Sequence, residues 1–276
     1  MPPGQFATLT LICCLIGAAT HFLSRRLGWT TPRRLGRKKF PIPPTSEGAF
    51  AFLLGFLLCL AAGFGRFQPD FLLSDSEMVA RHFALALSLV WIWVAGRLAD
   101  ARGASHFVIT AILAGGALIL AWGGFQIPAI RVGETVYNLG WFALVGTLIW
   151  LVVMAEFFRL FEGLDGVLVT LLIAAFGLQY FNLPAEETYA RLLCLCVLIP
   201  LVGLLPWRIY PARIELRGIG AYLPGFVFGA ITVVGREKAF TAKAVLLPVF
   251  VLIVVLSLLA LWLLEQHLFL PKGKRK

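Results

Sequence analysis

The sequence predicts an all-α, polytopic membrane protein, and three observations carry that prediction. Sixty per cent of the residues are hydrophobic and only 14% are charged, with a mean hydropathy of +0.89. That is too little charge to cover the surface of a soluble domain. Apolar runs of membrane-spanning length recur from residue 5 to residue 264. Runs such as Val245–Leu264 lack the apolar/polar alternation of transmembrane strands. In lipid, their backbone N–H and C=O groups are satisfied within the segment only if it is helical.

Taken in order, the spans fall at about 5–23, 48–64, 82–99, 106–122, 139–158, 165–181, 189–205, 221–234 and 243–264, which makes about nine transmembrane helices. The leader Met1-Pro2-Pro3-Gly4 carries no Lys or Arg, whereas the segment after the first span is rich in both. Such a pattern is unlike a signal peptide and sets the N-terminus outside. The cytoplasmic segments are then 24–47, 96–105, 159–165, 206–220 and a tail after 264. They hold 17 of the 24 Lys and Arg residues. A one-span error would invert half the loops and erase that asymmetry. Residues 1–264 read as a single transmembrane domain and 265–276 as a basic cytoplasmic tail. Turn sequences such as Gln68-Pro69-Asp70, Gly123-Gly124 and Asn182-Leu183-Pro184 fall on the outer side. Trp29, Trp122, Trp141 and Trp207 lie near the expected interfaces.

The net charge of +10 sits in loops and the C-terminal tail. Topology and anionic headgroups or phosphates account for it, and no nucleic-acid-binding module is visible. Cys13, Cys14, Cys59, Cys194 and Cys196 all fall inside apolar spans and read as small buried hydrophobes. His21, His82 and His106 at span ends, and His267 in the tail, read as interfacial polar residues.

Chemistry-bearing residues gather in the segments assigned to the cytoplasm. Arg33-Arg34-Leu35-Gly36-Arg37-Lys38-Lys39-Phe40-Pro41-Ile42-Pro43-Pro44 precedes span two. Gly96-Arg97-Leu98-Ala99-Asp100-Ala101-Arg102-Gly103 follows span three. Glu156-Phe157-Phe158-Arg159-Leu160-Phe161-Glu162-Gly163-Leu164-Asp165-Gly166 joins spans five and six. Pro211-Ala212-Arg213-Ile214-Glu215-Leu216-Arg217-Gly218-Ile219-Gly220 leads into span eight. In this order the four segments resemble the polyprenyl-phosphate N-acetylhexosamine-1-phosphate transferase family, glycosyltransferase family 4, which contains the MraY and WecA enzymes. The family patterns are D-x-P-x-x-R-K-x-H with P-x-P-x-x-G-G, G-x-x-D-D-x-x-G, N-x-x-N-x-x-D-G-x-D-G and P-A-x-x-x-x-G-D-x-G-S. The resemblance covers about residues 1–260 and stops short of the family's later cytoplasmic loop with its His-rich motif.

The resemblance implies transfer of a sugar-1-phosphate from a UDP-sugar to a polyprenyl-phosphate lipid, releasing UMP, at the cytoplasmic face of a prokaryotic inner membrane. Mg²⁺ held by carboxylates would neutralise the phosphates. On that reading Asp100, Asp165 and Glu162 are the residual catalytic candidates, and Asp100 and Asp165 the candidate metal ligands. Lys38, Lys39, Arg159, Arg213 and Arg217 are the candidate phosphate-binding residues. The basic run Arg33–Lys39 reads first as a topology anchor and only second as a substrate site.

Departures from the family pattern bear directly on that chemistry. Ala99 stands where the first Asp of the pair belongs, Glu156 and Arg159 replace two Asn, and Glu162 replaces an Asp. Arg217-Gly218 replaces Gly-Asp, Ala221 replaces Ser, Phe40 replaces the His, Thr31 an Asp and Glu47 a Gly. A guanidinium near the metal position opposes a dication by a few kcal/mol per unit charge pair, taking an effective dielectric of about 20. Glu156, Arg159 and Glu162, three apart, would share one side of a helix, either as a fixed cation standing in for the metal or as a solvated ion-pair stripe. The expectation is a catalytically degenerate homologue that binds lipid phosphate or nucleotide sugar, or acts as a scaffold beside a glycan-assembly protein. An active Mg²⁺-dependent transferase is the alternative, and a transporter of a phosphate-bearing lipid a further one.

Overall fold

Eight helices and a small sheet make up the described part of the chain. The computed structural model describes residues 3–26, 48–66, 76–132, 135–161, 167–184, 186–208, 214, 216, 218–234 and 240–241. The helices are α1 (Pro3–Arg26), α2 (Gly48–Arg66), α3 (Ser76–Ala101), α4 (His106–Trp122), α5 (Phe142–Arg159), α6 (Val167–Asn182), α7 (Thr188–Arg208) and α8 (Ile219–Val234). Each coincides with an expected span to within a few residues, except that α3 starts earlier, because six polar-flanked residues ahead of the apolar run join the helix. The ninth expected span and the basic tail lie outside the described residues. α1, α3, α5 and α7 are long and apolar enough to cross a bilayer. α2, α4, α6 and α8 are shorter apolar helices, the 16 residues of α8 spanning about 24 Å.

The helical bundle expected from the sequence carries one small sheet as well: β1 (Ala129–Val132) and β2 (Thr135–Asn138) form an antiparallel hairpin between α4 and α5, and β3 (Phe240–Thr241) pairs parallel with β1. Strands this short carry too little periodicity to stand out against a loop. The hairpin is tethered through the Ile127 N–H, which donates to Thr147 Oγ1 at 3.0 Å on α5.

Contacts between helix ends sort the molecule into two ends. At one, Tyr189 at the start of α7 packs on His82 near the start of α3, ring centroids 5.1 Å apart, and Arg191 of α7 donates to the Leu183 carbonyl after α6 at 2.6 Å. The hairpin belongs to this end. At the other end, Trp207 near the end of α7 meets His21 near the end of α1. There, too, Ala49 at the start of α2 abuts Gly220 at the start of α8, and Arg159 at the end of α5 reaches His106 at the start of α4. The helices therefore run alternately up and down, and the described parts of the motif-bearing segments after α3, after α5 and before α8 share one end; the first segment, 33–44, lies outside the described residues. Trp122 and Trp141 are fully exposed beside the hairpin, as an aromatic belt requires. Trp207 is instead half-buried, against α1. Trp29 lies outside the described residues. Cys13, Cys59, Cys194 and Cys196 are buried and Cys14 partly so, all as free thiols.

All sixteen residues of α8 are buried. A helix that is apolar all round has no solvent face and belongs at the centre, and α8 sits between α5, α3, α2 and α7. Its run Gly225-Phe226-Val227-Phe228-Gly229 lets α5 come close: a β-carbon at 225 would lie 2.8 Å from the Met154 carbonyl oxygen and one at 229 would lie 3.2 Å from Leu151. Small residues four apart allow such an approach between helices in lipid, where packing and interhelical hydrogen bonds replace the hydrophobic drive. One such bond runs from Trp150 Nε1 to Thr232 Oγ1 at 2.9 Å, and Thr232 donates onward to the Gly229 carbonyl at 2.6 Å. Phe228 adds edge contacts to Phe158 of α5 and Phe176 of α6, with centroids 5.3 Å apart in both.

Gly225→Leu is expected to destabilise the bundle by at least about 1–3 kcal/mol through overpacking. Thr232→Val, which removes the interhelical hydrogen bond from the Trp150 indole N–H, is expected to cost roughly 0.6–1.7 kcal/mol. Thermal unfolding of the purified protein in detergent, comparing each variant with the parent, checks both.

Candidate functional site

The first turn of α8 is the point on which the sequence-predicted residues converge. A helix start leaves backbone N–H groups without intrahelical acceptors, and in a buried helix the protein must supply them. Asp100, in the last turn of α3, does so: its Oδ2 accepts the Ile219 N–H at 3.1 Å. A carboxylate in this position also meets the positive end of the helix dipole. Its neighbour Ala99, standing where the family pattern has another Asp, is buried against the core.

Gly218 completes the junction. Its φ of +54° lies in the left-handed region that side chains disfavour, and a β-carbon there would overlap the Asp100 carboxylate. The Ala221 N–H bonds to the Gly218 carbonyl at 3.2 Å, closing the first turn. The sequence change from the family's Asp to Gly218 and the retention of Asp100 are thus one arrangement: the space a side chain at 218 would need holds the Asp100 carboxylate.

Beside the first turn of α8 stands Arg159, closing α5. Its Nη1 donates to Glu156 Oε2 at 3.4 Å, and its Nη2 bonds to His106 Nε2 at 3.1 Å. Guanidinium can only donate, so His106 accepts through Nε2 and carries its proton on Nδ1 in this geometry. The guanidinium also lies over the Tyr222 ring, 5.3 Å from its centroid, and Tyr222 is 2% exposed. The expected pairing of Arg159 with Glu156 along one helix side is present. The interhelical contacts to His106 and Tyr222 left no trace in the sequence, because neither lies at a helical spacing from Arg159.

Beneath this cluster, buried Arg208 of α7 donates through Nη1 to the Ile214 carbonyl at 3.2 Å, and the Ile214 N–H donates to the Trp207 carbonyl at 3.2 Å. These bonds hold Ile214 against the end of α7.

Of the residues singled out from sequence, Asp100 and Arg159 flank the start of α8. Lys38, Lys39, Glu162, Asp165, Arg213 and Arg217 lie outside the described residues. Among the described residues no three His, Cys, Asp or Glu side chains gather as a metal-binding group. Those around Asp100 do not by themselves fit a divalent cation. One carboxylate oxygen is engaged by a backbone N–H, position 218 offers no side-chain donor, and Arg159 brings a fixed positive charge to the same helix turn. Mg²⁺ needs oxygen donors and gains nothing from either of the last two.

Comparison with known proteins bears on residues spanning most of this bundle. The sequence model of glycosyl transferase family 4 matches residues 82–236, more than half of the chain, from α3 through α8. The chain is 25% identical over 175 residues to a probable undecaprenyl-phosphate N-acetylglucosaminyl 1-phosphate transferase of Bacillus subtilis (strain 168), covering 62% of this chain and 49% of that protein. It is also 26% identical to two phospho-N-acetylmuramoyl-pentapeptide-transferases. One, from Limosilactobacillus fermentum, aligns over 40% of this chain and 35% of its own length. The other, from Lactiplantibacillus plantarum, aligns over 51% and 45%. The chain thus spans about half the length, or less, of the curated relatives it matches. The matched stretch begins in α3, includes Asp100, Arg159 and Gly218, and ends just past α8, so the helices that build the junction are the ones that carry the likeness: the chain is a membrane protein of glycosyl transferase family 4.

Proposed function

We propose that this protein binds a polyprenyl-phosphate lipid or a nucleotide sugar at the Asp100 end of the bundle, in a cytoplasmic membrane, without turning it over. On the expected topology, with nine spans and the N-terminus outside, that end would face the cytoplasm, where nucleotide sugars are found. The distribution of Lys and Arg supports that orientation. The names of the relatives supply the substrate class: they are transferases of sugar phosphates, one of them acting on undecaprenyl phosphate.

The observation that carries the reading is the junction of Asp100 with Gly218 and Ile219. Asp100 serves as the cap of α8, and the neighbouring position that carries a carboxylate in the family pattern is a glycine whose side-chain space is filled. Loss of the metal's oxygen donors removes the means of neutralising the diphosphate during transfer, whereas phosphate recognition by arginine needs no metal. Such a protein would act as a binding or scaffold component beside an active glycan-assembly enzyme. The alternative, an active Mg²⁺-dependent transferase that makes a polyprenyl-diphosphate-linked sugar, draws on the retention of Asp100 and of Asp165-Gly166 in the sequence.

Purified protein given Mg²⁺, a UDP-sugar and polyprenyl phosphate is expected to release no UMP above a protein-free control. Release that disappears in both Asp100→Asn and Asp165→Asn would establish the transferase instead. Asp100→Asn, which keeps an oxygen acceptor for the Ile219 N–H, is expected to unfold close to the parent temperature. Asp100→Ala should lose about 0.5–2 kcal/mol, the usual worth of a helix cap. Gly218→Asp, restoring the family residue, is expected to lower the unfolding temperature, since the left-handed backbone alone costs about 1–2 kcal/mol with a side chain. It is expected to confer no Mg²⁺-dependent UMP release.

A further inference from the structure

We infer that Arg159, positioned by His106 and Tyr222, forms a phosphate-recognition site that operates without a divalent cation. The inference rests on the phosphate-binding reading above and adds its residues and its metal independence.

Three features of the structure carry it. The first is rigidity. Arginine side chains lose considerable freedom on binding, but Arg159 is already held from three helices: by Glu156 on its own α5, by His106 on α4 and by the Tyr222 face on α8. A cation fixed before the ligand arrives loses less entropy when it binds.

The second is charge. At this end the described helix termini carry Arg26, Arg97, Arg102, Arg159 and Arg208 against Asp100 and Glu156. Among these described residues the balance is positive, and Glu156, paired with Arg159 at 3.4 Å, has about a third of its side chain exposed. Solvent screens such a pair, so the guanidinium keeps much of its attraction for an incoming dianion. A dication would meet the same positive balance as repulsion. Phosphate and Mg²⁺ are thus discriminated by one field, in opposite senses.

The third is access. Arg159 and its contacts lie in the last turn of α5 and the first turns of α4 and α8, at a helix end, and the Arg159 side chain is 30% exposed. His106 is exposed. A phosphate on a lipid at the membrane surface and the diphosphate of a nucleotide are both able to present oxygens to a guanidinium there, and Arg recognises either through paired N–H···O bonds. The Tyr222 ring beneath blocks the far face and orients the fork. His106 shares the fork's edge, so replacing it frees Arg159 to rotate without removing the charge. In that sense His106 and Tyr222 are positioning residues, and Arg159 is the contact.

The experiment is equilibrium binding by the full chain, purified in detergent, of polyprenyl monophosphate in one arm and UDP in the other, each with EDTA and with Mg²⁺. The expected result is saturable binding in EDTA to one of the two, changing less than threefold when Mg²⁺ is added. Which arm binds identifies the source of the phosphate. Arg159→Gln is expected to weaken binding about tenfold or more, the worth of a charge-assisted hydrogen bond. Arg159→Lys, which keeps the charge and loses the fork, should recover part of that loss. His106→Gln should weaken binding by a smaller factor, with an unchanged unfolding temperature, and serves as the test if Arg159→Gln fails to fold. Binding that appears only with Mg²⁺, or that is the same in Arg159→Gln as in the parent, overturns this inference and leaves the binding reading standing. Failure of the parent to bind either probe under both conditions overturns both.

Discussion

A helix buried on every side cannot leave its first backbone N–H groups bare, and the arrangement at the Asp100 end follows from that constraint. Each unsatisfied donor in a low-dielectric interior costs free energy comparable to a lost hydrogen bond. α8 has no solvent face along its length, so its start must be closed by protein groups. Asp100 closes it from α3 at Ile219, and the Gly218 carbonyl accepts the Ala221 N–H. The carboxylate that resembles a metal ligand in sequence is thus also the group that lets the central helix begin.

That constraint propagates outward. Once Asp100 occupies the space beside residue 218, only a residue with no side chain fits there, and the backbone takes up a left-handed φ that glycine tolerates. With α8 fixed in depth and rotation, its small residues meet α5 and its Thr232 reaches Trp150. α5 is then held at a height that brings Arg159 over Tyr222 and beside His106. The functional cluster is therefore a consequence of how the core helix is capped and packed, not an addition to the surface of a finished bundle. Removing the cap is expected to disturb the cluster even though Asp100 makes none of its contacts.

Family membership and local chemistry answer different questions here. Membership fixes the kind of scaffold, and the relatives' names indicate the kind of molecule such scaffolds act on. Whether this chain keeps the reaction depends on oxygen donors around one carboxylate, and there the substitutions cluster: Ala99 in the core, Gly218 against Asp100, and Arg159 beside the same helix start. A fold hosts chemistry only through its site. On the proposed reading, arginine in place of neutral groups changes the sign of the field that a metal would meet while still offering donors to a phosphate.

Hydropathy alone located all eight described helices, because a membrane span is a long uninterrupted signal and lipid leaves the backbone no other choice. Motif order also picked out Asp100 and Arg159, since charged residues at span ends are few and conspicuous. Short strands were not legible: β1 and β2 are four residues each, and the pairing of β1 with β3 depends on a segment more than a hundred positions away. Nor was the role of Asp100 as a cap, since a carboxylate reads the same whether it faces a metal or an N–H, and its donor partner, the Ile219 N–H, lies 119 residues on. His106 and Tyr222 gained their significance only when α4, α5 and α8 came together. What the residues dictate one span at a time was readable from their order; what depends on which helix ends meet was decided by tertiary packing, because contacts between distant segments carry no periodicity along the chain.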